Sequence, residues 1–387
     1  MRNWLLPEYI EDVLPAEAER IEMMRRKLID LFVVNGYELV MPPMLEYLES
    51  LITGVGHDLD LATFKVVDQL TGRLMGVRAD ITPQVARIDA HMSNNQGVNR
   101  FCYAGDVLRT SPDGLAQTRQ PFQLGAELFG HQGIESDIEI QRLMIKAMKA
   151  IDIKSIQIDF NHVGIFNSLI SKIDDSFKDS LYHSLQTKDK TTLFELIRTI
   201  DKKTADALCA LTDLNGDASI LDEAQKILPP TDEILSAIND LRELSHNLSD
   251  LKVEVCFDLA ELRGYHYHSG LVFAAYAQGY SGPLALGGRY DEVGLKFGRA
   301  RPATGFSLDL RGVVASLQPA TLAMAIFAPY LNDLSLMEKI ETLRAEGHKV
   351  VQELPGLEMY RKELKCDRQL VKDGNAWIVV SAPELMN

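Results

Sequence analysis

The hydrophobic and polar residues of this chain follow a helical period in some segments and a strand period in others. Apolar residues recur at helical spacing over residues 15–35, and the following Gly36 is typical of a helix end, so we predict a helix there. Residues 37–41 predict a short strand that ends at a Pro-Pro pair. A second helical period predicts a helix over residues 135–151.

Strand patterns dominate the middle of the chain, apart from one long helical stretch. Residues 64–129 predict a run of strands with turns at Thr71-Gly72 and at Pro112-Asp113-Gly114. Residues 162–248 are helical, polar and without motifs, which predicts an inserted helical segment. Further strands are predicted at residues 156–160, 253–257 and 270–276, and within residues 288–317 ahead of a helix.

The end of the chain alternates between strands and helices. The strands are predicted at residues 323–328, 349–353 and 377–381, and the helices at residues 334–344 and 359–372. Such alternation is typical of a small α/β domain with parallel strands. We therefore expect a first domain over residues 1–320, with the helical insertion inside it, and a small second domain over residues 321–387.

Composition places the chain among globular proteins. Hydrophobic residues make up 46% of its 387 positions and charged residues 25%, which is ordinary for a folded domain protein. No apolar run approaches the ~18 residues that span a bilayer, and the first residues carry no secretory signal, so we expect a cytosolic protein. The four cysteines have no paired spacing, which favours reduced thiols over a disulfide framework or a metal site.

The net charge of −15 bears on the choice of partner. Proteins that bind nucleic acid neutralise phosphates with a surplus of Lys and Arg. An acidic chain can still carry a local basic patch, so the charge disfavours nucleic acid without excluding it.

Three segments carry residues suited to a small zwitterionic ligand. They are Val77-Arg78-Ala79-Asp80-Ile81-Thr82-Pro83, Phe122-Gln123-Leu124-Gly125-Ala126-Glu127 and Leu286-Gly287-Gly288-Arg289-Tyr290-Asp291. Each alone is most often a turn or a strand bend, but in this order and spacing they resemble the histidine pocket of histidyl-tRNA synthetases. The resemblance covers about residues 5–318. It implies an α+β fold of the class II synthetase type, in which helices flank an antiparallel sheet.

The resemblance also assigns roles to residues of the first two segments. Asp80 and Thr82 would accept hydrogen bonds from the ammonium of free histidine. Gln123 would bridge the ammonium and the carboxylate, and Glu127 would accept from one imidazole nitrogen. Arg109 matches the arginine of the family's motif 2.

A fourth segment, residues 263–270, resembles the family's histidine-binding signature. Arg263 would pair with the ligand carboxylate, and Tyr267 and His268 stand where the family has two tyrosines. As donor or acceptor, the imidazole of His268 could make the same bond as the tyrosine it replaces. Tyr290 would close the wall. The pair His266 and His268 could instead ligate a metal, but no further ligand follows at zinc-like spacing.

The ATP-binding half of the family's site is changed. The acidic residue expected after Arg109 is Ser111, and the loop beyond it lacks basic character until Arg119. The arginine of motif 3 aligns with Gly312, and Arg311 lies one residue earlier, where a side chain points elsewhere. A one-residue shift in the alignment would restore this arginine. Its loss should remove most of the charge stabilisation that adenylation needs.

A chain that keeps the amino-acid pocket and loses the residues for the reaction resembles the regulatory subunits of ATP phosphoribosyltransferase in histidine biosynthesis. That resemblance implies a non-catalytic protein without a cofactor, with histidine as effector and the short-form catalytic subunit as partner. It also implies a dimer within a hetero-oligomer, and neither a nucleic acid nor a membrane as partner. Two alternatives remain open at this point: an active histidyl-tRNA synthetase, and another synthetase paralogue that senses a different amino acid or modifies a different target.

Overall fold

The computed structural model describes residues 5–52, 57–112, 118–265, 267–317 and 324–385. These residues belong to two compact units, Met1–Leu317 and Gln318–Asn387. None of the described helices is long and apolar enough to cross a membrane.

The first unit is built on a large sheet that has nine strands among the described residues. In spatial order these are β1 (Glu38–Leu39), β5 (Asn99–Asp106), β6 (Phe122–Phe129), β12 (Ala303–Asp309), β11 (Ala285–Arg289), β10 (Leu271–Ala277), β7 (Ile156–His162), β9 (Glu254–Asp258) and β8 (Asn215–Gly216). Neighbours are antiparallel, except that β1 pairs with β5 and β7 with β9 in parallel. The predicted α+β architecture with a largely antiparallel sheet is confirmed.

The period of two along β6 separates the core of the unit from its cavity. Leu124, Ala126 and Leu128 are buried in the main hydrophobic core. Gln123 and Glu127, at the odd-numbered positions of the same strand, face the opposite side of the sheet and line a cavity. A strand buried on both faces therefore carries polar side chains at fixed, alternating positions.

Helices α1 (Pro15–Val34), α5 (Ile134–Ala150) and α12 (Leu310–Ser316) cover the core face of the sheet. The first two confirm the helices predicted at residues 15–35 and 135–151. Phe32 of α1 is fully buried, and its ring meets that of Phe306 edge to face at 5.8 Å.

Residues 45–52 and 57–91 form a smaller layer. It contains β2 (Leu45–Tyr47), β3 (Phe64–Val67) and β4 (Leu74–Val77), and the helices α2 (Leu48–Ile52), α3 (His57–Ala62) and α4 (Thr82–His91). The sequence pattern predicted only strands over residues 64–129, so α4 is a correction. Pro83 in the first turn explains it, because proline is well tolerated there and its fixed φ suits a helix start.

The insertion predicted at residues 162–248 is helical, as expected. It contains α6 (Val163–Ile170), α7 (Asp175–Gln186), α8 (Lys190–Leu196), α9 (Lys202–Leu211), α10 (Ser219–Ile227) and α11 (Asp232–Leu248). Aspartates 174, 189 and 201 cap three of these helices by accepting from backbone N–H groups of the first turn. The buried residues of the insertion join those of the sheet in one continuous core, so the two parts stabilise each other.

The second unit is a small α/β fold, as predicted. Its elements are β13 (Ala325–Ala328), α13 (Leu334–Ala345), β14 (Val350–Gln352), β15 (Cys366–Asp373) and β16 (Ala376–Ser381), in the sheet order β14-β13-β15-β16. The first three strands of that order are parallel, and β16 pairs antiparallel with β15.

The helix predicted at residues 359–372 is wrong. A 3₁₀ helix, Glu358–Leu364, ends where Lys365 adopts a left-handed backbone with φ 52°, and β15 follows. The segment is rich in Lys and Arg, which favour helices, but buried Leu370 fixes it as a strand of the domain core. The two-residue loop Gly374-Asn375, with φ 57° at Gly374, turns the chain into β16, and this hairpin was not predicted from the sequence.

We expect Leu241→Ala to destabilise the whole first unit, because Leu241 of α11 is fully buried in the core shared with the sheet. The cost should be about 2–5 kcal/mol, the range for removing a buried leucine side chain. Urea unfolding followed by circular dichroism measures it. Asn239→Ala, on the exposed side of the same helix, is the control and should change little. An insertion that unfolded separately, leaving the sheet transition unchanged, would contradict the shared core.

Candidate functional site

A cavity of about 510 Å³ opens on the face of the sheet opposite the main core. All nine residues singled out from the sequence lie on its wall: Asp80, Thr82, Arg109, Gln123, Glu127, Arg263, Tyr267, His268 and Tyr290. Strands β6, β11 and β12 supply its floor. The wall also includes residues that the sequence did not single out for binding, among them Leu59, Ser111, Tyr182 and Ser307.

Asp80 occupies an acidic corner that the neighbouring chain holds in place. Gln123 Nε2 donates to Asp80 Oδ1 at 2.8 Å, and Thr82 N donates to the same oxygen at 2.9 Å. Gln123 Oε1 accepts from Ile81 N at 2.8 Å. Both ends of the Gln123 amide are therefore engaged, so this residue orients Asp80. The segment lies in the turn before α4 and at its first residue, not on a strand.

Glu127 lies at the floor of the cavity with 1% of its surface exposed. Tyr103 donates its hydroxyl to Oε1 at 2.9 Å, and the Tyr290 hydroxyl donates to Oε2. Burial raises the pKa of Glu127 to about 8, although the two tyrosine hydrogen bonds act to lower it. The carboxyl is therefore largely protonated at neutral pH. Tyr103 was missed in the sequence because its side chain acts through Glu127 and belongs to none of the motifs.

Gly305 makes room for this carboxyl. It pairs directly with Glu127 across β12 and β6. A Cβ atom at this position would lie 1.5 Å from Glu127 Oε2, and that side chain is fully enclosed. The glycine is therefore required by close approach.

Aromatic rings form the wall beside Glu127. The rings of Tyr267 and Tyr290 lie 5.1 Å apart, and that of His268 meets Tyr267 edge to face at 5.5 Å. The Tyr267 hydroxyl is buried and has no hydrogen-bond partner among the described residues. Since an unpaired buried hydroxyl is costly, a bound molecule that supplied a partner would gain free energy there.

His268 presents a single kind of group to the cavity. Burial lowers its pKa to about 4, so the ring is neutral at physiological pH. Its Nδ1 lies 3.0 Å from the carbonyl oxygen of Gly264, which can only accept, so Nδ1 carries the hydrogen. Nε2 is then an acceptor. The sequence had left both roles open.

Two arginines lie on the described wall. Arg263 pairs with Glu261, with 3.4 Å between Nη2 and Oε2. Arg109 donates from Nε to the carbonyl of Ala79 at 3.4 Å, and its own carbonyl accepts from Arg119 Nε at 3.1 Å. The cavity thus holds cations at its rim and carboxyls at its corner and floor. Residues 113–117 of the loop after Ser111 lie outside the described residues.

Arg311 points away from the cavity, as expected. It is buried in the first turn of α12, where Nη1 donates to the Gln120 carbonyl at 3.1 Å and Nη2 to the Glu11 carbonyl at 3.4 Å. Gly312 offers no side chain, and a Cβ atom there would lie 3.1 Å from Asp309 Oδ2. This arginine fastens the N-terminal segment to the sheet.

Among the described residues, no three His, Cys, Asp or Glu side chains are placed to hold a metal ion. His266, which the sequence suggested as one of two ligands, lies outside the described residues.

Comparison with known proteins identifies the relatives of this chain. The sequence model of the histidyl-tRNA synthetase family matches residues 9–313, and that of the ATP phosphoribosyltransferase subunit HisZ C-terminal domain matches residues 323–380. An ATP phosphoribosyltransferase regulatory subunit of Methylobacillus flagellatus is 64% identical over 387 residues, which is 100% of both chains. Another from Nitrosospira multiformis is 50% identical over 99% of both chains.

Solved structures show the same fold. An ATP phosphoribosyltransferase regulatory subunit/histidyl-tRNA synthetase from Bacillus halodurans has a TM-score of 0.81 at 26% identity, covering 92% of this chain and 95% of that chain. A histidyl-tRNA synthetase from a Nostoc species has a TM-score of 0.78 at 18% identity, covering 100% and 98%, and supports the fold alone. The predicted class II synthetase-like fold is confirmed.

We expect Glu127→Gln to remove a pH dependence from the stability of the chain. The pKa of Glu127 is raised from 4.5 to about 8, so folding takes up a proton between these values. The stability supplied by the neutral carboxyl is complete below about pH 4.5 and is lost as the pH rises towards about 8. The slope should reach about 1.4 kcal/mol per pH unit at most.

Urea unfolding at a series of pH values measures this difference. The advantage of Glu127→Gln over the unaltered chain should grow with pH and then level off. Glu254→Gln, which changes an exposed glutamate of β9, is the control and should follow the unaltered chain. A constant difference between Glu127→Gln and the unaltered chain at every pH would show that folding does not shift the pKa of Glu127.

Proposed function

Because this chain belongs to the family of ATP phosphoribosyltransferase regulatory subunits, we propose that it binds free histidine in the cavity described above and transmits that binding to a short-form catalytic subunit. As a regulatory subunit it contributes control and no catalysis of its own. Histidine is the end product of the pathway that the transferase begins, so its binding would act as feedback inhibition.

The observation that carries the proposal is the match between the cavity and the three polar groups of histidine. Asp80, oriented by Gln123, suits the ammonium, and Arg263 suits the carboxylate. At the other end, Glu127 and the unpaired Tyr267 hydroxyl lie where the imidazole would sit. The lone Tyr267 hydroxyl favours a polar ring over an aliphatic side chain, since an aliphatic group would leave this hydroxyl unsatisfied.

The arrangement of the cations disfavours the alternative, an active histidyl-tRNA synthetase. Adenylation needs preorganised positive charge at the phosphate. Gly312 offers no cation, Arg311 is bonded to Gln120 and Glu11, and Ser111 replaces the acidic residue of motif 2. Binding of the amino acid survives this loss, because it depends on the opposite end of the cavity.

Regulation requires that histidine bind two states of the complex unequally. A coupling free energy of about 1–3 kcal/mol corresponds to roughly 5- to 150-fold inhibition. We further propose that the chain forms a dimer inside the hetero-oligomer. Exposed apolar side chains next to β1 and β2, including Leu39, Met41 and Met44, supply a surface suited to such a contact.

The decisive experiment combines co-purification with an assay. The chain is mixed with a short-form transferase subunit, the complex is isolated, and phosphoribosyl transfer is measured with and without histidine. We expect a stable complex that histidine inhibits. Histidine-dependent exchange of pyrophosphate into ATP by the chain alone would instead establish the synthetase. A panel of amino acids in a thermal-shift assay tests whether the ligand is histidine.

We expect Asp80→Asn to weaken histidine binding by about 1.5–3 kcal/mol, roughly 10- to 150-fold, because the ammonium loses a charged acceptor. Isothermal titration calorimetry measures the change. Asp106→Asn is the matched control, since this aspartate ends β5 and accepts from Gln120 Nε2 at 3.2 Å, outside the cavity wall. Equal losses in the two variants would mean that Asp80 does not contact the ligand.

A further inference from the structure

Arg263 stands between two cavities. Besides the main cavity it lines a side chamber of about 120 Å³, and the two share Arg263, His268, Leu286 and Gly287. The side chamber also contains Asp159 and Glu261. Arg263 therefore lines the main cavity, where it suits a ligand carboxylate, and also the side chamber, which contains the carboxylates of Asp159 and Glu261.

Glu261 makes three contacts with neighbouring residues, two through its carboxylate and one through its backbone carbonyl. Its Oε1 accepts from the backbone N of Arg263 at 2.9 Å, and its Oε2 lies 3.4 Å from Arg263 Nη2. Its backbone carbonyl accepts from Asn161 Nδ2 at 2.5 Å, and Asn161 is buried on β7. The hydrogen bond from the backbone N of Arg263 thus holds the Glu261 carboxylate beside the residue whose guanidinium it pairs with.

The pair between the two side chains is loose. Charge-assisted bonds between guanidinium and carboxylate are usually about 2.7–2.9 Å long, shorter than the 3.4 Å between Nη2 and Oε2. The Arg263 side chain keeps 39% of its surface exposed. A guanidinium in this state is held near Glu261 and can still turn one of its edges to another carboxylate.

We propose that Glu261 competes with the carboxylate of the amino-acid ligand for Arg263, and thereby sets how strongly the cavity prefers an amino acid over an analogue without that carboxylate. Glu261 is a positioning residue, because it acts on the ligand through Arg263. The inference rests on the proposed function. It adds a residue that neither the motifs nor the cavity wall facing the ligand would identify.

The physical reason is the repulsion of like charges around one cation. With the ligand in place, Arg263 would serve its carboxylate as well as Glu261, with Asp159 close by. Such competition weakens binding, which suits a sensor that must release its effector when the concentration falls. Removing the charge of Glu261 should strengthen histidine binding roughly two- to fivefold, the size expected for a partly exposed ion pair.

Glu261→Gln tests this in the full chain, because the amide keeps the shape and an oxygen for the backbone N of Arg263. Calorimetry measures its affinity, and that of the unaltered chain, for histidine and for histidinol, which has an alcohol in place of the carboxylate. We expect the affinity for histidine to rise and that for histidinol to stay or fall. A lower affinity for histidine, or an equal gain for both ligands, would overturn the proposal.

Two further variants separate direct competition from a general effect of charge. Asp159→Asn removes the same charge from the same chamber, but Asp159 accepts from Gln157 Nε2 at 2.8 Å, so the gain should be much smaller. In an Arg263→Gln background, Glu261→Gln should bring no gain at all. A full gain in either case would overturn the direct role of Glu261.

The outcome also distinguishes this inference from the proposed function. If the unaltered chain binds histidine and Glu261→Gln brings no gain, only the role of Glu261 fails. If neither chain binds histidine while both keep their native circular dichroism, the proposed function fails and this inference fails with it.

Discussion

The burial of Glu127 is the constraint around which the site is organised. A carboxyl removed from water needs hydrogen bonds and space, and the chain supplies both from separate elements. Tyr103 of β5 and Tyr290 at the end of β11 donate to its two oxygens, and Gly305 of β12 leaves the volume that Oε2 occupies. The register of these strands therefore follows from one side chain as much as from the core behind it, since a slip of one residue would put Glu127 into the apolar core.

The nine residues could be singled out from the sequence because motifs mark them, and strand alternation fixes the side of the sheet for Gln123 and Glu127 on β6. Their partners could not. Tyr103 lies in an ordinary buried strand, and Gln123 was expected to contact a ligand although both ends of its amide are engaged in the turn before α4. Glu261 belongs to none of the motifs, and only its contact with Arg263, 3.4 Å between Nη2 and Oε2, marks it. Supporting contacts of this kind depend on distances that no spacing in the sequence encodes.

The errors in the fold have local physical causes. Helix α4 was missed because its apolar residues are few, and only Pro83 marked its start. The helix predicted at residues 359–372 was wrong because a buried strand position at Leu370 outweighed the helix propensity of the lysines and arginines around it. Long periodic segments such as α1 and α5 were recovered, since the burial of a whole helix face is a stronger constraint than the preference of any single residue.

Two consecutive residues at the end of β11, Arg289 and Tyr290, connect the cavity to the rest of the first unit. Tyr290 faces Glu127, whereas Arg289 points to the other side of the sheet and forms a buried ion pair with Asp137 of α5, with 2.6 Å between Nη2 and Oδ2. Helix α5 packs in turn against α11 of the insertion. A ligand that moved Tyr290 would therefore strain a paired buried charge, and such pairs tolerate little displacement because an unpaired charge in the core is costly. The guanidinium of Arg311 is likewise hydrogen-bonded within the protein, to Gln120 and Glu11. The arginines that hold the fold together at positions 289 and 311 are thus not those that line the cavity, Arg109 and Arg263.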